Sequence, residues 1–107
     1  NEDKMLVQAK YKVNDIVTIS LMSGQEALGK LISENSDTIV LSRPLTIAIG
    51  PQGAAFQPFT ITGDAEGEVS FKADKVVAIL KTNKETTDAY RAATSGLVVP
   101  DTPGLIT

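Results

Sequence analysis

The sequence predicts a mainly β domain, a small closed or nearly closed antiparallel barrel followed by one helix. Three observations carry this. Val69-Ser70-Phe71-Lys72 alternates apolar and polar residues as a half-buried strand does, whereas Val76 to Leu80 is apolar throughout, as in a strand covered on both faces. Only Ala73-Asp74-Lys75 separates the two, so the chain must kink sharply there and hold Lys72 and Asp74 near the bend. The third observation is a change of pattern after Leu80, from strand alternation to spacings of three and four.

Taken in order, the stretch from Asn1 to Lys12 is mixed in character and is compatible with a short helix or an added edge strand. Asn14-Asp15 marks a turn, and Ile16 to Leu21 then alternates, with Val17, Ile19 and Leu21 on one face. Ser23-Gly24-Gln25 breaks this strand, and a second follows on which Ala27, Gly29 and Leu31 share a face. A glycine within a strand points to a bend or a close backbone approach. Glu34 to Asp37 is a polar turn leading to a third strand from Thr38 to Ser42. Short turns between these strands predict an antiparallel meander rather than a βαβ unit.

Arg43-Pro44 interrupts the alternation, but Leu45, Ile47 and Ile49 resume it. Gly50-Pro51-Gln52-Gly53 is a turn, and so is the stretch from Gly63 to Glu68. Either could join the third and fourth strands, the other being an excursion. Pro58 between Phe56 and Phe59 implies an edge position. After the strand region, Thr82-Asn83-Lys84-Glu85 fits a capping box with Thr82 as the cap. Thr86, Ala89, Tyr90, Ala93 and Leu97 form one apolar stripe, Lys84 and Asp88 fit an exposed ion pair, and Gly96 suits the end of a helix. The expected organisation is an N-terminal segment 1–15, a barrel 16–81, a helix 82–96 and an apolar tail 97–107 packed on this chain or a neighbour.

Composition narrows the chemistry. With 107 residues, 42% hydrophobic and 21% charged, the chain can form one globular domain. Cys and His are absent, which removes thiolate nucleophiles, disulfides, imidazole bases and the usual zinc ligands. No residues pair a nucleophile with a base, so an enzyme is not expected, nor is a cofactor. Asp64, Glu66 and Glu68 alternate beside glycines but lack the spacing of a calcium loop, so no metal is expected either. No apolar run reaches a membrane span and no signal peptide is visible, so the expected location is the cytoplasm. A net charge of −3 opposes indiscriminate nucleic-acid binding but leaves room for a local ring of basic residues.

Val17-x-Ile19-x-Leu21, Gly24, Gly29-x-Leu31 and Ile39-x-Leu41 resemble the first motif of the Sm and Sm-like (Lsm, Hfq-related) family. Phe71-Lys72-Ala73-Asp74-Lys75-Val76-x-x-Ile79 is similar to the second. The resemblance spans about Ile16 to Leu80, with a long variable region 43–68 between the motifs, and looks closest to divergent bacterial or phage-borne members. It implies a strongly bent five-stranded antiparallel barrel of the SH3-like kind, whose fourth strand pairs with the fifth of the next subunit. Homo-oligomeric rings of about five to seven copies result. On that expectation Val69, Phe71, Val76, Val77 and Ile79 belong to the subunit interface.

The resemblance also implies single-stranded RNA around the pore. By position Lys72 matches the family's basic residue and Ala73 its glycine, with Asp74 and Lys75 beside them. Thr38 stands approximately for its base-reading Asn, Ser36 for its stacking side chain, and Asn35 or Asp37 for the acid that braces the turn. Stacking on an aromatic face is worth about 1–3 kcal/mol per base, and Ser36 has no such face. Thr38 cannot make the two-point contact of an amide, and Lys72 lacks the planar surface of Arg. Apart from the resemblance, Asn35 to Thr38 has the composition of any tight turn, and Lys72 and Lys75 read as solvated strand-end lysines. The expected function is a ring that binds single-stranded RNA or scaffolds an RNA–protein assembly. The alternative is a structural ring with no nucleic-acid role.

Overall fold

The computed structural model describes residues 10–60, 62–63 and 67–95. Most of the N-terminal segment, the acidic positions Asp64 and Glu66, Gly96 as helix terminator and the tail 97–107 lie outside that range.

Strands β1 (Ile16–Leu21) and β2 (Glu26–Glu34) form an antiparallel hairpin, with Ile19 opposite Ala27 and Val17 opposite Gly29. Gly24 closes it at φ +94°, a conformation that favours glycine because it has no Cβ. β3 (Thr38–Gly50) continues the meander on the other side of β2, as the pattern predicts.

Arg43-Pro44 does not end β3; it bends it. Leu28 pairs with Leu45 and Lys30 with Ser42, so two steps along β2 face three along β3. The extra residue is a bulge at Arg43, whose φ of 52° is unusual for a side chain of that size. Gly29 lies opposite. A Cβ there would stand 2.9 Å from the Ser42 carbonyl oxygen and 3.3 Å from Pro44 Cα, so the glycine marks a close backbone approach.

The bend lets β3 serve two partners along one edge. Its second half pairs with β4 (Gly53–Pro58) across the Pro51-Gln52 turn, with Ile47 opposite Phe56. Its first half pairs with β5 (Glu68–Lys72), with Ile39 opposite Phe71. Of the two turns considered from the sequence, the one at Gly50–Gly53 closes the β3–β4 hairpin, and the stretch from Gly63 to Glu68 lies partly outside the described residues. A 3₁₀ turn, Ala73–Lys75, then leads to β6 (Val76–Lys81), which pairs with β1.

The outcome differs from a closed five-stranded barrel. The described residues form a six-stranded antiparallel sheet ordered β4-β3-β2-β1-β6, with β5 on β3, and the sheet is not closed. The three-residue 3₁₀ turn carries the chain from one end of the sheet to the other instead of folding β6 back onto β5. The β3–β4 hairpin accounts for the additional strand.

Two apolar clusters hold the sheet. Val17, Ile19, Ala27, Leu31, Ile39, Leu41 and Phe71 form the main core on one face. Each large aliphatic side chain buried there is worth about 1.5–3 kcal/mol. Ile16, Leu28 and Tyr90 form the second cluster, under helix α1 (Lys84–Thr94). Within the expected helical stripe, Tyr90 is the buried residue, while Ala89 and Ala93 are exposed. Lys84 and Asp88 do pair, at 2.7 Å on the exposed side.

One local expectation is corrected. The helix cap is Asn83 rather than Thr82: Asn83 Oδ1 accepts from the Thr86 N–H at 2.8 Å. Thr82 is buried, and its hydroxyl lies 2.8 Å from that of Thr18, tying the helix entrance to β1. β6 is covered on one face only within this chain. Val76 and Ile79 pack on the core, but Val77 is 67% and Leu80 52% exposed. The reason is a register shift: Leu21 pairs with Val76 and Ser20 with Ala78, leaving Val77 as the extra residue.

Candidate nucleic-acid interface

The β2–β3 turn and the β5–β6 corner meet. Thr38 and Lys72 are register partners across β3 and β5, and the Ala73 N–H donates to the Asp37 carbonyl at 2.9 Å. All eight residues singled out from the sequence therefore fall on two short segments joined by backbone hydrogen bonding. The corner is anchored on its other side too, where the Met22 N–H donates to the Lys75 carbonyl at 3.0 Å.

Asn35 shapes the turn. Its Oδ1 accepts from the Asp37 N–H at 2.8 Å and the Thr38 N–H at 2.9 Å, while its own N–H donates to the Thr38 carbonyl at 2.9 Å. This is the use of a short amide side chain as a substitute for a backbone turn. Of the two bracing candidates, Asn35 does the bracing. The Thr38 hydroxyl points the same way, 3.5 Å from Asn35 Oδ1, and its residue is half-buried.

Ser36, Asp37, Lys72, Asp74 and Lys75 are exposed, and Ala73 is half-buried. The local surface thus offers two ammonium groups, two carboxylates, a serine hydroxyl and the turn backbone. Among the described residues neither Lys72 nor Lys75 is held in an ion pair. The arrangement can contact a phosphate or a base edge by hydrogen bonding. None of its eight residues is aromatic and the phenylalanines are committed elsewhere, while Tyr11 donates to Glu34 Oε2 at 3.1 Å beside the turn. Phe59 packs edge-on against Phe71 at 5.1 Å, and Phe56 against Tyr90 at 6.3 Å.

The interface candidates divide. Phe71 is 7% exposed and belongs to this chain's own core. Val69, Val76 and Ile79 are half-buried at the margin of that core, and Val77 is presented outward. Sequence reading missed Leu80, whose exposure follows from the β6 register, and Arg43, which the strand interruption marked without indicating a role. Arg43 Nη1 donates to the Thr94 carbonyl at 2.9 Å.

Among the described residues no cluster of three or more acidic side chains is placed to hold a metal ion, and no helix is long and apolar enough to cross a membrane. No known protein family matches the sequence, and no curated protein matches it.

Proposed function

We propose that the chain assembles into a homo-oligomeric Sm-like ring whose β2–β3 turn and β5–β6 corner contact single-stranded RNA. The observation that carries this reading is the joining of the two segments through the Ala73–Asp37 hydrogen bond and the Thr38–Lys72 pairing. Distant parts of the sequence are brought to one small exposed surface bearing Lys72 and Lys75.

The sheet supports the ring. β5 pairs only with β3 and β6 only with β1 among the described residues, so each leaves one edge unfilled. These edges lie at opposite ends of the path β5-β3-β2-β1-β6, so β5 of one copy adding to β6 of the next is a head-to-tail contact. Such contacts close into rings when the rotation permits. Exposed Val77 and Leu80 on β6 would be covered by the neighbouring copy.

A structural ring without RNA is the second reading, favoured by the serine at position 36 and by an Asn35 amide already committed to the turn. Fluorescence anisotropy with labelled U-rich and A-rich RNA separates the two. RNA binding that weakens with added salt and falls in Lys72→Ala supports the first reading. A ring that binds neither RNA supports the second.

A further inference from the structure

Three cations away from the proposed RNA surface line one cavity. It lies between the sheet and the end of α1, has a volume of about 400 Å³, and is lined by Lys30, Ser42, Arg43, Tyr90, Arg91 and Thr94 among others, with no carboxylate lining it among the described residues. The cations come from three elements: Lys30 from β2, Arg43 from the β3 bulge and Arg91 from the last turn of α1. In a chain with 13 acidic and 10 basic residues, such a grouping runs against the overall balance.

Arg43 is held in place rather than free to swing away. The Tyr90 hydroxyl donates toward the Ser42 and Arg43 carbonyls at 3.0 and 2.7 Å, and the Arg43 N–H donates to the Gly67 carbonyl at 2.9 Å. Its guanidinium spends one bond on the Thr94 carbonyl, at 2.9 Å, leaving further N–H donors in a planar fork suited to an oxyanion. Burial pushes the Tyr90 hydroxyl above its usual pKa, while the positive charges of Arg43 and Arg91 pull it back, so both guanidinium groups act on the same spot.

The helix end does not account for this much charge. An α-helix C-terminus carries the equivalent of about half a negative charge, which one cation offsets. Three cations leave a clear positive excess in this half-open cleft, with the Ser42 hydroxyl as an additional donor, the Thr94 hydroxyl being spent on the Tyr90 carbonyl at 2.9 Å. We propose that this cavity binds a phosphate group, taken either from the backbone of a polynucleotide or from a small phosphate compound.

The test uses the full chain in chloride buffer, titrated with inorganic phosphate and followed by thermal denaturation and calorimetry. Lys30 and Arg91 are exposed, so the double variant Lys30→Gln/Arg91→Gln alters charge without opening the core. Phosphate is expected to raise the unfolding midpoint beyond an equal ionic strength of potassium chloride. The double variant should bind phosphate about tenfold or more weakly, and Lys72→Ala should bind it as the parent does. No phosphate response in the parent protein, or an equal response in the double variant, would overturn the proposal. Parallel titrations with single-stranded RNA and with a nucleoside monophosphate identify the source. RNA affinity lost in the double variant assigns a polynucleotide phosphate, and nucleotide affinity lost with RNA affinity kept assigns a small one. Because Lys72→Ala leaves this cavity intact, failure here is distinguishable from failure of the RNA surface.

Discussion

Ala73 donates its backbone N–H to the carbonyl of Asp37 at 2.9 Å, joining the β5–β6 corner to the β2–β3 turn. The bond uses no side chain at either end, so the two segments stay together whatever residues occupy positions 37 and 73, proline at 73 excepted. Side chains at the site can therefore be altered one at a time to separate turn-building from ligand contact.

Asn35→Ala should act on stability. Two N–H groups, of Asp37 and Thr38, lose their side-chain acceptor and turn to water. The turn is exposed, so the cost should be small, about 0.5–1 kcal/mol in urea denaturation. A loss of RNA affinity with unchanged stability would instead make Asn35 a contact residue.

Gly29→Ala should destabilise by about 1–3 kcal/mol, because the new Cβ meets backbone atoms that cannot swing away. The nearest is the Ser42 carbonyl oxygen at 2.9 Å, fixed by the β3 bulge. Chemical denaturation measures this directly, and an unchanged midpoint would show that the bulge yields.

Tyr90→Phe keeps the ring packed on Ile16 and Leu28 but removes the hydroxyl that donates to the Ser42 and Arg43 carbonyls. The expected loss at neutral pH is about 1–2 kcal/mol. Burial raises the folded-state pKa of this hydroxyl above its ordinary 10.0. A raised pKa gives stability that is fully present below the unfolded value and is lost as pH rises through the folded one. Above about pH 10 the parent protein should therefore lose stability faster than Tyr90→Phe, as denaturation at stepped alkaline pH would show.

Asn83→Ala should cost about 1 kcal/mol through loss of the helix cap. Thr82→Val tests the corrected assignment: it should leave the helix start intact while breaking the Thr18 contact at 2.8 Å. Amide exchange at Thr86 is the discriminating readout, rising in the first variant and not in the second.

The first three strands were legible because Val17, Ile19, Leu31, Ile39 and Leu41 recur with period two and all face one core. The corner at Ala73 to Lys75 was legible because three residues cannot form a loose loop. The cap was misassigned because Thr82 and Asn83 are both good capping residues, and only the burial of Thr82 beside Thr18 separates them. An uninterrupted apolar run could not reveal that β6 bulges at Val77, since alternation has no phase when every residue is apolar. The continuation of β3 was partly legible, because Leu45, Ile47 and Ile49 resume the alternation and a proline within a strand implies an edge or a bulge; that the bulge falls at Arg43 and absorbs Pro44 was not. The candidate turn residues could be named in advance, but their meeting depends on the return of β5 to β3, which no local pattern encodes.

The central claim, that the free edges of β5 and β6 pair between copies, is tested most directly by native mass spectrometry of the full chain at micromolar concentration. One dominant closed species of about five to seven copies is expected. A species at the 11.3 kDa mass of a single chain, persisting as concentration is raised, would contradict it.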